Sequence, residues 1–349
     1  MGSTIDPRPR GSVLIVVLIV LSALSLLAFG ISYRTRLEMR LAQFQFERAY
    51  VRELAEAAVV VAMEKLRQDD NDTDYLAEAW HTDPTLEAEQ WPREEGLRSI
   101  GSQSVECSCL DEEGKINVNT AGPDVLEKLL EDNREVCAGI LDWLDSDDNA
   151  RSGGGESSYY QALSPSYSAK NKALQILSEL LLVKGVERAL YYGEDANRNR
   201  VLDLNENDGT VTLPLDNADG RLQLGLRDLL TTYGSGRINL NTAPLEVLRA
   251  LPGLSDGAAR AIVLHRDGFD RAPGTDDDHP FGGLNELSEV PGLTEFEIDV
   301  LKHFCTLSSQ HFSIISIATI REGKVRCCVE VVVRRTEGEV VPILRREEP

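Results

Sequence analysis

Positive charge is scarce in this chain. Its 349 residues carry 36 Lys and Arg against 58 Asp and Glu, a formal net charge of −22. Nucleic-acid affinity rests largely on basic side chains that neutralise phosphates, so that function class is not expected. Histidine is also sparse. The five (His81, His265, His279, His303 and His311) are scattered, and there is no H-E-x-x-H, no G-x-S-x-G and no P-loop. No enzyme is read from the sequence. None of the six cysteines belongs to a pair of C-x-x-C motifs, which argues against zinc. Two local absences matter most. No charged residue occurs from Gly11 to Tyr33, and no Gly or Pro occurs between Gly30 and Pro84. The remainder, 42% hydrophobic and 27% charged, has the composition of a packed globular protein of about two domains.

The uncharged run Ser12–Ile31 is twenty residues of mostly Val, Leu, Ile and Ala. As a helix it spans roughly 30 Å, the thickness of a bilayer's hydrocarbon core. A secretory signal peptide would have a shorter apolar region and a small-residue cleavage site after it, so a retained transmembrane helix is expected over residues 12–31. Arg34, Arg36 and Arg40 follow the run and outnumber Arg8 and Arg10 before it, so charge alone leaves the orientation open. Beyond the run, Leu37, Leu41, Phe44, Val51, Leu54, Ala58 and Val61 recur at spacings of three, four and seven. One helix from about Ser12 to Leu66 is predicted, with one apolar face.

A basic leader ending in Gly, Pro7-Arg-Pro-Arg-Gly11, followed by such a run, resembles type IV prepilin-like proteins. The resemblance implies cleavage by a prepilin peptidase between Gly11 and Ser12 and N-methylation of Ser12. It also implies a cytoplasmic leader (residues 1–11) and an exported body. Most members carry Glu at the fifth mature position, where this chain has Val16. A carboxylate in lipid needs a charged partner, thought in these filaments to be the amino terminus of the next subunit. Val16 therefore suggests a filament tip.

Further along, Ser104–Leu110 alternates as a strand. His311–Ile320, Lys324–Arg335 and Glu339–Arg345 are β-branched runs separated by Glu-Gly turns, predicted as a three-stranded antiparallel meander. Between them Gly114-Lys-Ile-Asn-Val-Asn-Thr-Ala121 is repeated as Gly236-Arg-Ile-Asn-Leu-Asn-Thr-Ala243, each copy followed by Pro and an acidic residue at a helix start. Ile176–Leu182 and Val247–Leu264 are read as helical. Leu251-Pro-Gly-Leu-Ser-Asp-Gly-Ala-Ala259, echoed by Val290-Pro-Gly-Leu293, looks like a helix-hairpin-helix used structurally rather than for DNA. The expected fold is α+β. A long N-terminal transmembrane and amphipathic helix leads into a small pilin-like α/β domain with an antiparallel sheet (32–118 and 305–349), interrupted by a large α-helical domain (119–304).

That layout and the words Asp142-Trp-Leu-Asp-Ser-Asp147, Tyr159-Tyr160, Glu179-Leu-Leu-Leu-Val-Lys-Gly-Val186 and Gly236–Pro244 resemble the general secretion pathway protein K family. These are the large minor pseudopilins of type II secretion systems. The match runs in order from residue 8 to about 335, and family members commonly lack the Glu at mature position five. The resemblance implies a single-pass bacterial inner-membrane protein, its amino terminus cytoplasmic and its bulk periplasmic. It implies a tip complex with other minor pseudopilins on a pseudopilus that helps export folded proteins across the outer membrane, with the inner-membrane assembly platform and prepilin peptidase as further partners. A minor pilin of a type IV pilus or DNA-uptake machine is the alternative. A membrane-anchored calcium-dependent hydrolase using the Asp142–Asp147 cluster is a third reading. In an exported domain Cys107 or Cys109 could pair with Cys327 or Cys328, or the thiols could be buried unpaired.

Calcium is the expected cofactor. In Asp195–Glu206, numbered as a twelve-residue calcium loop, positions 1, 3, 5, 9 and 12 are Asp195, Asn197, Asn199, Asp203 and Glu206, and Val201 at position 7 offers its carbonyl. Arg200 replaces the usual Gly at position 6, and a solvated Asx-rich loop is the alternative. Asp142, Asp145, Asp147, Asp148 and Glu156 form a second acidic cluster without a fixed loop spacing.

Overall fold

A computed structural model describes residues 12–69, 72–82, 103–131, 133–195, 198, 202–211, 216–321 and 323–348. Helix α1 runs from Ser12 to Gln68 as one uninterrupted rod of 57 residues, as the absence of Gly and Pro after Gly30 predicts. From Val13 to Phe46 it is exposed all round; from Glu47 it is half-buried along one stripe. The stripe consists of Val51, Leu54, Ala55, Ala58, Val59, Ala62 and Leu66. Leu37, Leu41 and Phe44, expected on the same packed face, are about half exposed because the sheet begins only one turn beyond them.

The strip faces a four-stranded antiparallel sheet of order β1-β6-β7-β8, with β1 Gln103–Asp111, β6 His311–Ile320, β7 Val325–Thr336 and β8 Glu339–Glu348. The meander is as predicted, and β1 adds to it from a distance of about 200 residues through pairs such as Cys109↔Ile314. Alternate residues Phe312, Ile314, Ala318, Ile320, Val325, Val329, Val331 and Val333 pack against α1 as one hydrophobic core. A short helix, α2 (Ala79–Thr82), places buried Trp80 edge-on to Phe312, ring centroids 5.1 Å apart. No disulfide joins the six cysteines. Strand β6 lies between β1 and β7, so Cys107 and Cys109 are two ladder spacings, about 9.5 Å, from the strand of Cys327 and Cys328, beyond the roughly 7 Å a disulfide spans.

The segment between β1 and β6 has its own hydrophobic core. Its helices are short: α3 Pro123–Leu129, α4 Arg134–Leu144, α5 Ser157–Gln161, α6 Arg188–Tyr192, α7 Leu226–Leu229, α8 Leu245–Arg249, α9 Asp256–Arg266 and α10 Glu295–Phe304. The expected helix at Ile176–Leu182 is a 3₁₀ turn, Leu177–Leu182. Val247–Leu264 is split into α8 and α9, because Gly253 at φ +86° turns the chain. Two pairs of two-residue parallel strands, which sequence reading missed, tie the region together: β2 Ile116–Asn117 with β3 Leu230–Thr231, and β4 Ile238–Asn239 with β5 Cys305–Thr306.

Both repeat copies supply one of these strands, and their asparagines carry the same tasks. The first Asn of each copy (Asn117, Asn239) accepts from the backbone N–H two residues on, at 3.0 Å. The second clamps a distant backbone at both ends. Asn119 donates to the Leu174 carbonyl at 3.0 Å and accepts from Leu174 N at 2.8 Å. Asn241 does the same with Phe281 at 3.0 and 2.8 Å. The copies also abut reciprocally. A Cβ on Gly114 would lie 2.6 Å from Thr242 Oγ1, and one on Gly236 would lie 2.5 Å from Thr120 Oγ1, so each glycine exists to admit the other copy's threonine. Removing a clamp leaves a buried backbone donor and acceptor without partners, at about 1–3 kcal/mol each. Asn119→Ala and Asn241→Ala should each lower the unfolding midpoint of the detergent-solubilised chain by several degrees. A midpoint within one degree of the parent would contradict the clamp.

Candidate metal centre

Helix α4 buries Val136, Cys137, Ile140, Leu141 and Trp143 in the inserted core, and Asp142 shares that burial with no exposed surface. The chain leaves the helix at Asp145 and returns through Gly153-Gly-Gly155 to Glu156. Gly154 passes so close to Asp142 that a Cβ there would sit 2.0 Å from its Oδ2. Glycine is therefore required for the loop to close over the carboxylate. Behind the loop, Lys184 donates its Nζ to the Gly154 carbonyl at 2.8 Å and its backbone N–H to the hydroxyl of buried Tyr160 at 3.1 Å. Trp143 and Tyr160 meet edge-on at 5.0 Å. The sequence words at Asp142, Tyr160 and Lys184 thus converge on one spot.

Oxygens of Asp142, Asp145 and Glu156 lie within 4.8 Å of one another. Glu156 is 2% exposed, and neither carboxylate oxygen has a hydrogen-bond partner. Burial, and then the negative charges of Asp142, Asp145, Asp148 and Asp147, push its carboxyl up to about 7. A buried carboxylate with unsatisfied oxygens is costly unless something neutralises it. Three converging hard oxygens fit calcium, whose flexible shell is filled by carboxylates, carbonyls and water. Asp147 and Asp148, expected in the cluster, are exposed and shape the loop instead. Asp147 Oδ1 accepts from Asn149 N and Nδ2 at 2.8 Å, and Asp148 Oδ1 accepts from Ser157 N at 3.2 Å.

In the 195–206 loop, Asn197, Asn199, Val201 and Arg200 lie outside the described residues. Asp195 and Glu206 are each 1% exposed and Asp203 is half-buried. Glu206 Oε2 accepts from Asp203 N at 3.1 Å, closing a 3₁₀ turn over Leu204–Glu206. Arg227 holds the Asp195 carbonyl at 2.7 Å. Arg198 has a left-handed backbone, φ 61°, and its side chain donates to Asp228 at 2.8 Å. At the loop's base Gly193 bridges Leu224, and a Cβ on Gly193 would fall 2.3 Å from Gly225 N.

The hairpin between α8 and α9 is fastened by the start of α10. Ser255 Oγ donates to Glu297 Oε1 at 2.6 Å and accepts from Ala258 N at 3.2 Å, and Thr294 Oγ1 donates to the other Glu297 oxygen at 2.7 Å. These donors hold Glu297 down at about 2. The carboxylate thus takes up the hydroxyl and amide of Ser255 within the chain.

Sequence reading also missed a buried polar network where the two cores meet. Asp111 Oδ2 accepts from Asn239 Nδ2 (2.9 Å), Thr242 Oγ1 (2.5 Å) and Ser309 Oγ (2.7 Å). Arg335, 3% exposed, pairs with Asp74 and with Asp69 at 2.8 Å, and lies 4.8 Å over the Phe312 ring. Burial pushes Asp74 up to about 7 and Asp111 to about 6.

A rod whose first half is exposed and apolar and whose second half lies across an antiparallel sheet is the architecture of a pilin-like protein. The described part of the rod, from Val13 on, is long and apolar enough to cross a membrane. The comparisons make the class specific. Family models described as type II secretion system protein K match residues 113–193 and 238–300, which hold the candidate metal centre and all but the first two residues of the second repeat copy. Over those stretches the chain resembles type II secretion system protein K. Relatives include a putative type II secretion system protein K from Escherichia coli (strain K12), 28% identical over 205 residues covering 52% of this chain and 59% of that protein. Another is the type II secretion system protein K of Klebsiella pneumoniae, 24% identical over 204 residues covering 53% and 60%. The chain thus matches about three fifths of the length of these curated relatives. A chain in the crystal structure of the GspK-GspI-GspJ complex from the enterotoxigenic Escherichia coli type 2 secretion system aligns with a TM-score of 0.54. That alignment covers 90% of this chain and 99% of the other at 15% identity, so the fold is what is shared.

A carboxyl whose folded pKa lies above its unfolded value costs nothing well below the unfolded value, and the cost grows as pH rises through the interval. For Glu156 the interval runs from 4.5 to about 7. Glu156→Gln should therefore raise the unfolding midpoint in chelator at pH 7.5 by a few degrees and leave it unchanged at pH 4. Equal midpoints for parent and variant at pH 7.5 would show that the carboxylate is not strained there.

Proposed function

We propose that this protein is a minor pseudopilin at the tip of a type II secretion pseudopilus, with no catalytic role of its own. The carrying observation is the continuity of α1, whose exposed apolar half and sheet-packed half are one rigid rod. A helix of that kind hangs a folded body outside a bilayer and leaves the apolar half for lipid or for neighbouring helices. In this reading the leader to Gly11 is removed by a prepilin peptidase, Ser12 becomes the methylated amino terminus, and the body lies in the periplasm. The pilin-like part, 32–118 and 305–349, joins the filament, and 119–304 forms the bulky cap. Val16, exposed on α1, leaves no carboxylate seeking the amino terminus of a subunit above, which suits a terminal position. The structural neighbour was crystallised with GspI and GspJ, and equivalent minor pseudopilins are the proposed partners here, together with the inner-membrane assembly platform. Calcium is proposed at Asp142, Asp145 and Glu156, and at the 195–206 loop through Asp195, Asn197, Asn199, Val201, Asp203 and Glu206. Either ion would neutralise buried carboxylates and stiffen the cap.

Two experiments test this. Amino-terminal sequencing of the membrane-extracted protein should start at methylated Ser12, and an intact leader would count against pseudopilus entry. Calorimetric titration should show calcium binding that Asp195→Ala with Glu206→Ala reduces by one site. Unchanged stoichiometry in that variant would remove the loop from the assignment.

A further inference from the structure

Arg151 stands against two of the three carboxylates of the Asp142–Asp145–Glu156 centre. Its NH1 donates to Asp142 Oδ1 at 2.8 Å and to Asp145 Oδ2 at 2.5 Å, and its own backbone N–H points at both Asp142 oxygens at 3.2 and 3.1 Å. The guanidinium therefore occupies oxygens that a cation on this centre would need. The pairing is incomplete. Glu156 keeps both oxygens, and Asp145 keeps Oδ1, without a hydrogen-bond partner. Among the described residues one monovalent cation pairs with two of the three carboxylates, and Asp142 and Glu156 are fully or nearly fully buried.

The arginine is not locked in place. Its side chain is 42% exposed, whereas Asp142 has no exposed side-chain surface. It also lines a surface cleft of about 760 Å³ together with the acids Asp124, Glu127 and Glu131 and the bases Lys128 and Arg134, all five exposed. A guanidinium leaving the centre would thus move into solvent, where its charge is hydrated, beside a cleft of mixed charge.

Resting on the reading of this cluster as a cation site, we infer that Arg151 is its resident counter-cation, which must release Asp142 and Asp145 before a divalent cation can take their oxygens. Arg151 is then a positioning residue with two states. In one it pins the 145–156 loop to α4. In the other it is an exposed basic group on the face of the cap, beside the cleft. Calcium affinity is set by this exchange, because each ion bound must break the ion pairs of Arg151 with Asp142 and Asp145. Arg151 is missed by motif reading since a basic residue within an acidic loop counts against a metal site when only spacing is weighed.

The test titrates calcium into the full-length detergent-solubilised protein and its Arg151→Gln, Arg151→Lys and Glu156→Gln variants, and records unfolding midpoints in chelator and in saturating calcium. Arg151→Gln should bind calcium about tenfold more tightly at the site that Glu156→Gln weakens. It should unfold at a lower temperature than the parent in chelator and at the same temperature in calcium. Arg151→Lys, which keeps the charge on a shorter side chain, should fall between. Equal or weaker binding by Arg151→Gln, with the Glu156-dependent site intact, would overturn the exchange while leaving the cation site standing. Calcium binding indifferent to Glu156→Gln would remove the cation site, and the exchange with it.

Discussion

The constraint on which the rest of the molecule depends is the buried carboxylate of Asp111. It ends the edge strand of the sheet packed on α1, and it accepts hydrogen bonds from Asn239 and Thr242 of the second repeat copy and from Ser309 at the entry to β6. Beside it Arg335, near the end of strand β7, grips Asp69 and Asp74 just past the end of α1. Asn239 Nδ2 reaches the Asp74 carbonyl as well. Hydrophobic packing is not directional, and the two cores would tolerate many relative placements. A fully donated buried carboxylate tolerates very few, because each lost donor exposes it to the desolvation cost. This network therefore fixes how the inserted region stands on the rod-and-sheet body.

Within the inserted region the two I-N-x-N-T-A words perform equivalent work. Each supplies a short parallel strand, a turn capped by its own Asn, and a two-way clamp on a backbone segment 55 or 40 residues away. The reciprocal glycine-threonine contacts relate the copies to one another. A region built of helices no longer than 11 residues needs such clamps, since short helices gain little stability on their own. The candidate metal centre follows the same logic. Gly154 admits the loop, Lys184 and Tyr160 brace it, and two of the three carboxylates pair with Arg151 while Glu156 is left without a partner.

Much of the outer layout was readable because it is periodic. The rod came from an unbroken run without Gly or Pro, and the meander from β-branched runs punctuated by Glu-Gly. The packed stripe on α1 was placed too early at Leu37, because helical periodicity says which residues share a face but not where a partner begins. The division of Val247–Leu264 into two helices turns on one left-handed glycine, Gly253. The acidic clusters were visible as composition, yet only distance separates Asp142, Asp145 and Glu156, which converge, from Asp147 and Asp148, which cap turns.

What the amino-acid sequence determined by itself is therefore the local and the repetitive: the apolar rod, the alternating strands, the twin words and the loop with calcium spacing. These depend on contacts between near neighbours, which a linear pattern encodes directly. The tertiary structure alone decided that β6 keeps the cysteine pairs apart, that Glu297 fills the helix hairpin, that Arg335 and Asp111 join two cores, and that Arg151 sits among the metal-competent carboxylates. Most of those partners lie tens to hundreds of residues apart, or, as with Arg151, depend on how a loop folds back. Their energies arise from burial and exact distance, quantities that exist only once the chain has folded.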